Sequence, residues 1–187
     1  MKVKFRFSGR GGQGIKFLGS ALVRVAMAAN LNATLTVDYT PSVRGGPIFS
    51  DVVISSDPIA YPYCDADADY FIALDQKGFE RAAECISENT TSYIDTDSID
   101  DTAEKIITKG KIHRVPITRR ADEKKVTGAV NVLSLGFLSE HLKISEKPKL
   151  TEEQYIQVFN SMRNPENNIK TFKFGKDLYQ EVVNVTS

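Results

Sequence analysis

Val3, Phe5 and Phe7 alternate with Lys4 and Arg6, the period of a strand with one buried face. Gly9, Gly11, Gly12 and Gly14 then break the alternation. Ile15, Leu18, Leu22, Val25 and Ala29 follow at helical spacing, which predicts a helix from near Gly14. Ala33–Asp38 alternates again as a second strand, so the chain opens on a β-α-β unit that favours a parallel pair. Ile48–Ser55, with Val52, Val53 and Ile54, predicts a third strand. The link before it contains Pro41, Pro47 and the Gly45-Gly46 pair and is too short for a crossover helix, which favours antiparallel pairing there.

Further on, Tyr70–Leu74 predicts a strand, and Phe79, Ala82, Ala83 and Ile86 give Gln76–Ser87 an amphipathic helical pattern. Thr91–Ile94 and Ile112–Ile117 are short strand candidates. Arg119-Arg120 and Lys124-Lys125 lack apolar periodicity and read as a solvated loop able to touch a partner. Val126–Leu142 reads as a buried helix, in which the amide of Asn131 must find partners. Thr151-Glu152-Glu153-Gln154 is a capping box opening another helix, and the tail from Pro165 reads as Asn168–Gly175 followed by a short amphipathic helix. These elements predict an α/β protein: a three-layer α/β/α arrangement with a mixed, mostly parallel sheet, a Rossmann-like first β-α-β unit, and residues 1–187 as a single domain.

Composition narrows the function classes. Lysine plus arginine and aspartate plus glutamate both number 24, so the formal net charge is zero, which argues against a general nucleic-acid or acidic-membrane binder. The N-terminal residues carry charges inside their alternation, and no stretch approaches the ~20 apolar residues of a membrane span, so a cytoplasmic location is expected. Cys64 and Cys85 cannot supply the four thiolates of an ordinary iron–sulfur cluster and read as buried structural thiols. His113 and His141 lie far apart in sequence and read as structural. Asp65, Asp67 and Asp69 begin like a calcium loop, but Tyr70 and Gln76 stand where glycine and glutamate are needed. They read as a polar lead-in to the next strand.

The chemistry gathers in two glycine-rich turns. A strand, a glycine turn and a helix start present backbone N–H groups and a helix dipole to an anion, which nominates Gly9, Arg10, Gly11, Gly12, Gln13 and Gly14 as ligand-binding residues. Tyr39, Arg44, Gly45 and Gly46 form a second candidate, in which an arginine beside two glycines presents a guanidinium to a phosphate or carboxylate. The first turn also satisfies Gly-x-Gly-x-x-Gly, with Asp38 closing the second strand. An NAD or FAD site with Asp38 on the ribose hydroxyls is therefore an alternative.

Taken together, Gly9–Ile15, Tyr39-Thr-Pro-Ser-Val-Arg44-Gly-Gly, Asp-Ala-Asp69 ahead of a strand, Gly128-Ala-Val-Asn131-Val-Leu-Ser-Leu-Gly136 and the late Asn168, Phe172 and Gly175 resemble the gamma subunit of 2-oxoacid:ferredoxin oxidoreductases. The resemblance spans nearly the whole chain, with Thr40 standing where many relatives have glycine. It implies oxidative decarboxylation of a 2-oxoacid with coenzyme A to acyl-CoA, carbon dioxide and reduced ferredoxin. It also implies a chain inactive alone that holds no cofactor itself, with thiamine diphosphate and iron–sulfur clusters carried by other chains of the complex. Expected partners are the alpha and beta subunits, a delta subunit as a further candidate, ferredoxin as acceptor, and a second copy when the chain is isolated. Among substrates the Tyr39–Pro47 loop leans to 2-oxoglutarate, with pyruvate or a branched-chain 2-oxoacid as alternatives.

Overall fold

The computed structural model describes residues 1–39, 45–106, 109–145 and 147–183. The strands are β1 (Lys2–Arg10), β2 (Asn32–Tyr39), β3 (Pro47–Ser55), β4 (Tyr70–Ala73), β5 (Thr91–Asp95) and β6 (Lys111–Val115). The helices are α1 (Ile15–Ala28), α2 (Gln76–Ala82), α3 (Ala103–Ile106), α4 (Ile117–Glu123), α5 (Val130–Ser145), α6 (Glu152–Asn160) and α7 (Pro165–Val183). They build one mixed sheet in the order β2-β3-β1-β4-β5-β6. The ladders β1/β4, β4/β5 and β5/β6 are parallel, and β3 runs antiparallel to both its neighbours. The first β-α-β unit is therefore a crossover between strands of one direction that are not adjacent: β3 is inserted between β1 and β2. Pro47 opens β3 opposite Arg10, a position where its missing N–H is tolerated.

One face of the sheet buries Val3, Phe5, Phe7, Val52, Ile54, Ile72 and Tyr93 against α1, α5, α6 and α7. The other face buries Phe71, Ala73 and Ile94 against Phe79 and Ala82 of α2, together with Cys64, Cys85 and Ile99. Helices α5 and α7 lie in backbone contact. A Cβ on Gly136 would stand 2.0 Å from the Phe172 carbonyl oxygen, and one on Gly175 2.0 Å from that of Leu133.

Three expectations are corrected. The charged face of β1 is not solvated: Lys4 and Arg6 are buried. Arg6 makes a two-pronged ion pair with Asp51 (2.6 and 2.9 Å), donates to the carbonyls of Cys64 and Ala82, and stacks on Phe49. Lys4 pairs with Asp67 at 2.6 Å, and Asp69 accepts the Lys4 N–H, so two of the lead-in aspartates anchor this face. Arg119 and Arg120 lie on helix α4, not in a loop, because Ile117 and Ala121 bury one turn apart. Asn168–Gly175 belongs to α7, a continuous helix whose buried stripe uses Asn168, Thr171, Phe172 and Gly175. Cys64 and Cys85 are free and buried, and burial pushes both thiols well above the usual range, as expected of unreactive core cysteines.

Candidate functional site

The turn after β1 sits where the sheet changes the side on which its connections run. From the carboxyl end of β1 the chain passes to α1 on one face, and from the adjacent parallel β4 it passes to α2 on the other. Open α/β sheets bind ligands outside the strand ends at such a switch point.

Gly14 caps α1 in the left-handed region (φ 76°), without a side-chain cap, and no acidic residue lies in the first turn. Among the described residues no side chain accepts from the leading N–H groups of α1, and the first turn carries no acidic residue to offset the positive helix end. Gln13 fixes the turn. Its Oε1 accepts the Arg10 N–H at 2.8 Å, while its Nε2 donates to the Leu74 carbonyl, at the end of β4, at 2.9 Å. From α5, Asn131 Nδ2 reaches the Gly14 carbonyl at 3.5 Å, and its Oδ1 accepts the Val132 N–H at 2.9 Å. The buried amide is thus the brace of the turn.

On the other face Asp75 caps α2 by accepting from Lys77 and Gly78 N–H. Gly78 lies against the Gly9 backbone, where a Cβ would come within 2.5 Å of the Gly9 carbonyl oxygen. The second turn joins from the β3 side: Gly11 N–H donates to the Gly46 carbonyl at 3.0 Å, and Gly11 and Gly45 are in backbone contact. Gly12 and Gly45 are both at positive φ, and among the described residues nothing lies within 4 Å of where a Cβ on either would stand.

Of the residues expected from sequence, Gly9–Gly14, Gly45 and Gly46 come together, and Arg10 is exposed. Tyr39 is exposed at the end of β2, two strands or about 10 Å from Arg10 by strand spacing. Arg44, like Thr40, lies outside the described residues. The dinucleotide alternative loses its geometry: β3 separates Asp38 from the glycine turn, and the Asp38 carboxylate is held by Arg81 at 2.5 Å. Sequence reasoning missed Gly78, whose signal was an isolated glycine in a helical pattern, and the bond from Gln13 to the Leu74 carbonyl, which left none.

The two histidines both contact Tyr93, away from the turn. His113 stacks on Tyr93, whose hydroxyl lies 2.7 Å from His141 Nδ1; Tyr179 lies 3.3 Å from the same nitrogen. Burial, with His113 nearby, lowers His141 to about 4, so the ring is held neutral inside an aromatic cluster.

The arrangement is an uncharged backbone cradle at a helix N-terminus with an exposed arginine at its rim, on a mixed six-stranded sheet of the α/β class. Residues 4–178 match the pyruvate ferredoxin/flavodoxin oxidoreductase family, and the chain belongs to that family. It is 33% identical over 175 residues to the 2-oxoglutarate synthase subunit KorC of Methanocaldococcus jannaschii, covering 86% of this chain and 91% of that protein. The gamma subunit of a keto/oxoacid ferredoxin oxidoreductase from Geobacter sulfurreducens has the same fold (TM-score 0.77, 21% identity, 97% of this chain and 98% of that one). So does part of the 2-oxoglutarate:ferredoxin oxidoreductase of Magnetococcus marinus, solved with 2-oxoglutarate, coenzyme A and succinyl-CoA (TM-score 0.81, 22% identity, 96% of this chain and 31% of that one).

Proposed function

We propose that residues 1–187 act as the gamma-type domain of a cytoplasmic 2-oxoglutarate:ferredoxin oxidoreductase, and that the Gly9–Gly14 turn holds a phosphate of coenzyme A. The complex converts 2-oxoglutarate and coenzyme A to succinyl-CoA and carbon dioxide, and the two electrons released pass to ferredoxin. Alpha and beta chains bind the thiamine diphosphate, and the iron–sulfur clusters are held by other chains of the complex. Cys64 and Cys85, buried and protonated, fit no cluster.

The single observation that carries the coenzyme reading is the uncapped start of α1 beside an open, positive-φ glycine turn with Arg10 at its rim. An anion there accepts backbone N–H bonds from fixed donors, while Arg10, and Arg44 from the second turn, add charge-assisted bonds. Gln13 and Asn131 keep the donors aimed. The reading of 2-oxoglutarate over pyruvate or a branched-chain 2-oxoacid is supported by the similarity to the KorC subunit over most of both chains.

The test replaces Arg10 and Arg44 together by alanine in the assembled complex. A charge-assisted bond contributes about 1.5–3 kcal/mol, so KM for coenzyme A rises at least tenfold while the complex stays intact. An unchanged KM in an intact complex removes the coenzyme assignment. Loss of assembly instead makes the turns subunit contacts.

A further inference from the structure

The two edges of the sheet are built differently. At one end β6 is five residues long, carries Lys111 and Arg114, and is followed by Pro116. Arg114 also donates to the carbonyls of Ile99 and Asp100, tying the preceding connection across that edge. Short length, basic side chains and proline are the usual means by which a protein keeps an edge from pairing. At the other end β2 runs for eight residues, Asn32–Tyr39, without lysine, arginine, proline or glycine. Its one charge, Asp38, is neutralised by Arg81. An edge of that length with no such device is built to be covered.

We propose that β2 pairs antiparallel with β2 of a second copy of this chain, about a two-fold axis normal to the sheet at Leu35, joining two six-stranded sheets into one. The strand is complementary to itself in that register. Leu35 reaches the underside of α1, where it would crowd a side chain at Gly19, so Ala33, Val37 and Tyr39 share the helix face and Asn32, Thr34, Thr36 and Asp38 the opposite one. Leu35 then stands opposite Leu35, Ala33 opposite Val37, and Thr34 opposite Thr36. Asn32 meets Asp38 as an amide facing a carboxylate. Just beyond the strand, Leu31 meets Tyr39, whose ring is 62% exposed in the single chain. No like charges oppose each other, cross-strand Thr–Thr pairs are favourable, and a chain of zero net charge brings no long-range repulsion. Two-fold symmetry requires this kind of self-matching surface. This pairing is independent of the coenzyme reading, because β2 and the glycine turn are separated by β3.

The experiment measures the mass of the free full-length chain by sedimentation equilibrium across a wide range of concentration. The expected mass at high concentration is twice 20.7 kDa. T34K/T36K sets lysines opposite lysines across the axis and returns the mass to that of one chain, with circular dichroism unchanged. T34C/T36C gives a dimer held by disulfides that a reductant releases, whereas N32C alone does not cross-link, since Asn32 faces Asp38 and not itself. The native Cys64 and Cys85 are buried and take no part. A mass of one chain at every concentration overturns the proposal. A dimer unaffected by T34K/T36K, or N32C cross-linking as readily as T34C/T36C, also overturns it.

Discussion

Asn131, at the start of α5, occupies the space into which a side chain at Gly14 would grow: its Nδ2 lies 2.2 Å from where a Gly14 Cβ would be. Two residues 117 positions apart thus form one joint, in which the glycine supplies the left-handed backbone and the asparagine supplies the donor to its carbonyl.

Gly14→Ala is expected to cost about 2–4 kcal/mol, about 1 kcal/mol from the left-handed backbone and the rest from collision with the Asn131 amide. In the Asn131→Ala background the collision is gone and the cost falls to the backbone part. Urea unfolding of the two single variants and the double variant measures the difference. Equal costs in both backgrounds would show that the joint does not exist.

Replacing Asp51 by alanine leaves Arg6 charged and buried without its carboxylate, and stability is expected to fall by about 3–5 kcal/mol. Glu123→Ala removes one of the two carboxylates on the more exposed Arg120 and is expected to cost less than about 1 kcal/mol. Comparable shifts of the urea midpoint for the two would mean that burial does not set the worth of these pairs.

Gly175→Ala opposes two effects. Alanine favours a helix over glycine by about 1 kcal/mol, but its Cβ would press on the backbone carbonyl of Leu133, which has no rotamer by which to yield. The expected sign is destabilising by more than about 2 kcal/mol, as in overpacked cores. A raised Tm would refute the contact between α5 and α7.

Stability is expected to decline as pH falls from about 6.5 to about 4. Above 6.5 His141 is neutral in the folded and unfolded chains alike, so pH has no hold on it. Between the two values the unfolded chain binds a proton that the folded chain refuses, and the fold weakens by about 2 kcal/mol allowing for partial exposure of the ring. His113, also lowered by burial, acts in the same direction. His141→Gln should flatten the profile of unfolding free energy against pH; an unchanged slope would remove His141 from the effect.

What could be read from the sequence was local. The β1–turn–α1 segment and the capping box at Thr151 were legible because glycine conformation, capping and helical periodicity act within a few residues. The insertion of β3 between β1 and β2 was not, since strand order depends on pairing between distant segments. Lys4 and Arg6 looked solvated because their neutralising partners lie 63 and 45 residues away. Helix α4 has only two buried positions, too few to show a period, and the first half of α7 buries an asparagine, a threonine and a glycine that carry no apolar signal. At the site, the glycines and Asn131 stood out by residue type. Gly78 and the carbonyl of Leu74 matter through position alone.

β1 lies in the middle of the sheet, with β3 on one side and β4 on the other. A growing chain can close β2 on β3 early, since only a short link joins them. β1 must wait for partners that emerge 37 to 53 residues later on β3 and 65 residues later on β4, and its turn waits for Asn131. Such high contact order slows folding and places completion of the glycine cradle among its last events. A completed glycine cradle then certifies that the chain has already been made and folded at least as far as Asn131.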